Sequence, residues 1–198
     1  SGSDYFSQVG VMLPLVREYL TPDTVPSEFV PVVEYYHPAL DHYFMTANAA
    51  EITALDARSI SGWWRAGQRF LVDSEPGPGT APVCRFLTTA HGGKASHYFT
   101  ASVAECEAVK GKPDWTYEGI AFHARTPEAG GTCGASTVPI YRLYNNGRAG
   151  APNHAYTPET AQRERLTANG FVEEGVAFCV RVEGEPADKL QPLLSTTW

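Results

Sequence analysis

Three stretches of this 198-residue chain repeat one order of residues, and that repetition narrows the folds open to it more than any other feature. Residues 30–73, 81–125 and 137–181 each open on a β-type run, Pro31 to Tyr36, Pro82 to Leu87 and Pro139 to Tyr144. A His beside aromatics and a Thr comes next: His42-Tyr43-Phe44-Met45-Thr46, His97-Tyr98-Phe99-Thr100 and His154-Ala155-Tyr156-Thr157. A helix-like stretch follows, and each copy closes on an aromatic, a Gly and a Phe: Trp64, Gly67 and Phe70; Trp115, Gly119 and Phe122; Phe171, Gly175 and Phe178. A unit of this length cannot bury its apolar face alone, so neighbours stack around a shared core. The expected fold is mainly β with short helices (α+β). Its three strand-strand-helix-strand repeats form a pseudo-threefold domain, trefoil-like or small propeller-like. Such a scaffold offers several related surface sites rather than one singular catalytic centre.

The segments around the repeats read differently. Residues 1–3 (Ser-Gly-Ser) look like a cloning scar. In residues 4–20, Val9, Leu13, Val16 and Leu20 recur at helical spacing and predict an amphipathic helix, with Pro14 as a kink or boundary. Residues 21–29 form a Pro-containing linker, residues 30–181 the repeat domain, and residues 182–198 a tail without assigned structure. No apolar run reaches the roughly 20 residues that span a bilayer, so membrane insertion is not expected. A net charge of −7 argues against nucleic acid as a partner.

The cysteines follow the repeats. Cys84 and Cys106 share the second copy, where the others have Val33 and Tyr141 for the first and nothing comparable near Glu51 or Gln162 for the second. Cys133 and Cys179 belong to the third copy and its leader. Cysteines that appear and vanish together are expected as pairs, Cys84–Cys106 and Cys133–Cys179, which places the protein outside the cytosol.

Local signals fix the elements. Asn48 and Ser102 stand three residues before Glu51 and Glu105, at capping-box spacing, and Thr157 can cap a third helix with Pro158 at its first position. The helices are expected to end near Arg58, Lys110 and Asn169-Gly170. Gly67, Gly119 and Gly175 each predict a bulge or sharp bend inside a strand.

The ligand candidates are aromatics and their neighbours. Sugar rings offer C–H faces that stack on flat aromatics, while nearby carboxylates accept hydroxyl hydrogen bonds. Trp63, Trp64 and Arg65, with Asp114 and Trp115, vary between copies and are the foremost candidates; Tyr43, Tyr98 and Tyr156 follow. Phe70, Phe122 and Phe178 recur at one position and are expected in the core. His42, His97 and His154 could each hold a turn, bind ligand in separate pockets, or meet at one axis as a three-His metal site. Glu118 and Glu174 are expected to hydrogen-bond the turn that follows them. Neither a phosphate-cradling Gly loop nor a nucleotide fingerprint occurs, so no cofactor is expected.

The endings Trp115-Thr-Tyr-Glu118-Gly119-Ile-Ala-Phe122 and Phe171 to Phe178 resemble a bacterial three-copy repeat family of unknown function appended to secreted hydrolases, with Trp-x-x-Glu-Gly-x-Ala-Phe repeats. The first copy departs, with Ala66 in place of the Glu. The resemblance implies a role in binding carbohydrate or another polymer. Asp4-Tyr5-Phe6-Ser7-Gln8-Val9, followed by Leu13, Leu15 and Val16, is similar to the C-terminal helix of trypsin-like serine proteases, whose catalytic residues all precede that helix. No Gly-Asp-Ser-Gly-Gly occurs here. The expectation is a non-catalytic accessory domain of a secreted hydrolase, targeting it to a polysaccharide or surface glycan, with an upstream catalytic domain in the same precursor. A protein-interaction or processing/anchoring module of the protease is the alternative, and the threefold His metal site a third.

Overall fold

A computed structural model describes residues 28–92 and 94–181. The amphipathic helix expected over 4–20, the protease resemblance it carries and the tail 182–198 lie outside the described residues. The chain runs β1 (Phe29–His37), β2 (His42–Thr46), α1 (Ala49–Asp56), β3 (Trp64–Asp73), β4 (Thr80–His91), β5 (Lys94–Thr100), α2 (Val103–Lys110) and β6 (Thr116–Arg125). It continues through β7 (Val138–Tyr144), β8 (His154–Thr157), α3 (Thr160–Ala168) and β9 (Val172–Val180). Over the described residues the fold is mainly β with three short α-helices.

All the strand pairings among the described residues are antiparallel. The sheet runs β2-β1-β3-β6-β9-β7-β8, with β4 joined to β6 and β5 to β4. β1 therefore lies between β2 and β3, β4 between β5 and β6, and β7 between β8 and β9. β3, β6 and β9 meet near their C-terminal ends: Asp73 pairs with His123, Arg125 with Cys179, and Leu71 bridges Arg181 just beyond β9.

Alternation along these strands sends one face inward. Phe70, Phe122 and Phe178 meet there, with ring centroids 6.3, 6.2 and 5.6 Å apart, among the fully buried Val32, Val83 and Ile140. Each buried Phe contributes roughly 1.5–3 kcal/mol relative to exposure. Tyr156 belongs to this core. Its hydroxyl donates to the Phe99 carbonyl (2.9 Å) and accepts from the Phe99 N–H (2.8 Å). A phenol so enclosed is out of reach of a surface ligand, which removes Tyr156 from the binding candidates.

The expected glycine bulges are present. Gly67, Gly119 and Gly175 have φ of 88, 104 and 92°, and the register between strands shifts beside each. Open space surrounds all three Cβ positions, so backbone conformation selects glycine there rather than crowding. The third helix cap differs from expectation. Asn48 and Ser102 do cap α1 and α2, but Glu159, not Thr157, is the N-cap of α3, without a side-chain cap bond. Thr157, two residues earlier, instead accepts from the Glu159 N–H, as Thr46 does from Asn48 and Thr100 from Ser102.

Both disulfides, Cys84–Cys106 and Cys133–Cys179, are formed. The first ties α2 to β4. The second pins the loop before β7 to β9 across a separation of 46 residues. Bonds of this kind are at home in an oxidising compartment. Replacing Cys133 and Cys179 together by Ala is expected to cost roughly 2–4 kcal/mol in urea unfolding, because the unfolded chain regains the freedom of that loop.

Candidate functional site

The second strand of each hairpin and the bulged strand after the helix bring the polar candidates together. A cavity of about 560 Å³ opens between β5, α2 and the β7–β8 region. Trp115 and Tyr98 form one wall, Tyr144 and Pro152 face them, and His154, Glu174 and Asp114 supply polar groups. Tyr98 contacts Trp115 edge-on at 5.9 Å and His154 at 4.9 Å, while Tyr144 stacks on His154 at 5.0 Å.

Arg142, with 10% of its side chain exposed, anchors this cavity from behind. It donates to Glu105 through two bonds of 2.9 and 3.1 Å, to Glu174 at 2.7 Å and to the Tyr98 hydroxyl at 2.8 Å. Those bonds, chiefly Arg142 and then Thr100 and Tyr98 against the cost of burial, hold the Glu105 carboxyl at about 2. Burial, reinforced by Arg142, holds His154 at about 3, so its imidazole is neutral. Its Nδ1 is buried with no hydrogen-bond partner, and its Nε2 lies 3.7 Å from Glu174.

A smaller cavity of about 230 Å³ lies between β2, α1 and β4, lined by Phe44, Leu55, Trp63, Leu87, His97 and Glu118 among others. Arg85 binds Glu51 at 3.0 Å and Glu118 at 3.0 Å, and His97 Nε2 lies 3.2 Å from Glu118. His97 Nδ1 is 2.8 Å from His42 Nε2. With His97 donating to the carboxylate, that bond is satisfied by His42 as donor. Burial, with His97 and His37 as lesser causes, keeps His42 neutral at about 3.

Glu118 and Glu174 thus differ from expectation: they hold an Arg and face a His rather than binding the next turn. The bulge explains this, because it turns the residue before each glycine onto the face of the neighbouring strand. Glu51 and Glu105 likewise leave the capping box incomplete and serve the two arginines. These Arg–Glu networks were missed from sequence. Their signal was present in Arg85 and Arg142, at one position of their strands, with glutamates recurring two elements before and three elements after each.

The histidines do not form one set. His97 pairs across from Leu87 and His154 from Tyr144, but on β2 it is Tyr43 that stands opposite Tyr36, and His42 lies one residue earlier, opposite His37. A one-residue slip turns a side chain to the other face of the sheet. His42 and His97 bond to each other while His154 lines the larger cavity. Among the described residues, no group of three or more His, Cys, Asp or Glu is placed to hold a metal ion.

The Trp63-Trp64 pair splits. Trp63, four residues before its glycine like Trp115, packs against the core and lines the smaller cavity. Trp64 is 52% exposed under the Arg58 guanidinium, and Arg65 is bound to Asp56, both away from the two cavities. Tyr43 packs beside Leu166 and Phe171. Near it, Glu34 occupies the strand position held by Arg85 and Arg142 elsewhere. Both its oxygens are buried without a partner, and burial, with Glu159 adding to it, raises its carboxyl to about 8.

The family model described as Domain of unknown function (DUF5648) matches residues 18–125 and 128–181. No curated protein and no solved structure matches the chain.

Proposed function

We propose, from the premise that the chain belongs to the family described as Domain of unknown function (DUF5648), that it is a non-catalytic binding module of a secreted hydrolase, with polymeric carbohydrate as its ligand. The observation carrying this reading is the cavity walled by Trp115, Tyr98 and Tyr144 with Glu174, Asp114 and neutral His154 at its edge. Its volume lies within the usual range for ligand sites, roughly 300–1,000 Å³. Flat apolar rings can take the C–H face of a pyranose while the carboxylates accept its hydroxyls. The two disulfides suit an extracellular setting. The hydrolase, a trypsin-like protease by the resemblance of residues 4–20, would precede this module and be held by it against its substrate or a cell surface.

The architecture we infer is three like units about a pseudo-threefold axis, propeller-like in closure. The central phenylalanines and the mutual pairing of β3, β6 and β9 support it.

The test is a pull-down on a panel of insoluble polysaccharides. Wild type is expected to be retained by at least one polymer. Trp115→Ala should weaken that retention about tenfold or more, since truncating a buried aromatic anchor costs roughly 2 kcal/mol and 1.4 kcal/mol is tenfold. Absence of retention on every polymer, with co-purification of a protease domain, would replace this reading with the protein-interaction one.

A further inference from the structure

We propose that the smaller cavity, beside Trp63 and His97, is a second saccharide site of different selectivity, which makes the module bivalent. The inference rests on the carbohydrate reading above. What carries it is positional agreement between the two cavities.

Trp63 and Trp115 each stand four residues before a bulge glycine, and Glu118 and Glu174 one residue before theirs. His97 faces Leu87 across its hairpin as His154 faces Tyr144. Phe44 and Tyr98 each lie two residues before the Thr that leads into a helix, and Leu55 and Val109 occupy the same turn of those helices. All of these residues line their respective cavities. The same arginine scaffold lies behind each: Arg85 between Glu51 and Glu118, Arg142 between Glu105 and Glu174.

At the junction of α3 with β1 the pattern is broken. Tyr43 stands at the histidine's place, Ala66 at the glutamate's and Glu34 at the arginine's. Tyr43 packs against Leu143, Ala155, Leu166 and Phe171, so a ring of the protein itself fills what the other two junctions leave open.

The two open sites differ in chemistry. Phe44 and Leu87 replace Tyr98 and Tyr144, the volume is about 230 rather than 560 Å³, and the exposed Ile60 closes one side. The smaller site therefore takes one pyranose ring presenting an apolar substituent, such as a deoxy or acetylated position. The larger takes a more hydroxylated stretch of the same polymer. Two weak sites on one rigid body multiply on a polymer without any new contact.

The test uses the whole chain and a soluble oligosaccharide cut from whichever polymer retains it. In NMR titration, the indole N–H signals of both Trp63 and Trp115 are expected to shift, with calorimetric stoichiometry of two per chain. Ile60→Arg blocks the smaller mouth from an exposed position and should lower polymer retention about five- to tenfold, leaving the Trp115 titration unchanged. Trp63→Ala should do the same. If Trp63 stays unmoved at saturation, stoichiometry is one and Ile60→Arg binds polymer like wild type, the second site is refuted while the Trp115 site stands. Wild type retained by no polymer overturns both.

Discussion

Glu34→Gln is expected to abolish one of the largest pH-dependent contributions to stability among the described residues. Glu34 is 1% exposed, and its carboxyl is raised from 4.5 to about 8, first by burial and then by Glu159. Between those two values the unfolded chain has released this proton while the folded chain still holds it. Stability therefore falls as pH rises from about 4.5 to 8 and then levels. At 1.36 kcal/mol per unit, the loss is on the order of 5 kcal/mol. In Glu34→Gln that loss disappears, so the variant's stability relative to wild type should rise by this amount from pH 4 to pH 9. Any constant cost of placing an amide there cancels from the comparison. Urea unfolding at several pH values measures it, and parallel curves would show that the carboxyl is ionised and solvated.

His42 and His154 act in the opposite sense. Both are held near 3, so between pH 3 and 6.5 the unfolded chain binds two protons that the folded chain refuses, and stability rises with pH. Over that interval two rising contributions outweigh the single falling one from Glu34; above 6.5 only the falling one is left. Together the three groups place the stability maximum near pH 6.5.

Arg142→Ala carries the second large effect. The guanidinium satisfies Glu105, Glu174 and Tyr98 at once from a buried position. Removing one partner of a buried network costs roughly 3–5 kcal/mol. The side chains of Glu105 and Glu174 are 41 and 31% exposed, so water offsets part of this. The expected loss is about 2–4 kcal/mol. Arg142→Lys should recover less than half, because one ammonium cannot reproduce the paired geometry on Glu105. A separate signature is the Glu105 carboxyl, held at about 2 chiefly by Arg142. By NMR titration it should rise toward the ordinary carboxylate range in Arg142→Ala. An unmoved Glu105 would mean that the pair is not formed in solution.

Much of this was open to reading in the chain. The cysteines that vanish together are bonded, the recurrent phenylalanines meet in the core, and the three glycines bend their strands, because each depends on local chemistry repeated in place. What escaped depends on which face a residue takes. Met45 inserts one residue before Thr46, so His42 lies one position out of step with His97 and on the opposite face of its strand. The doubled Trp63-Trp64 hides the same ambiguity. The arginine–glutamate networks join elements far apart in sequence, and no local period announces them. Glu34 was visible as the acid at an arginine's position, but its isolation follows only from the packing around it.

β3, β6 and β9 each give one phenylalanine to the centre, and each strand or its immediate extension touches both of the others. Removing any one of these strands would strip a packing partner from the other two, so the molecule tolerates change better at the outer ends of its strands than at this shared centre.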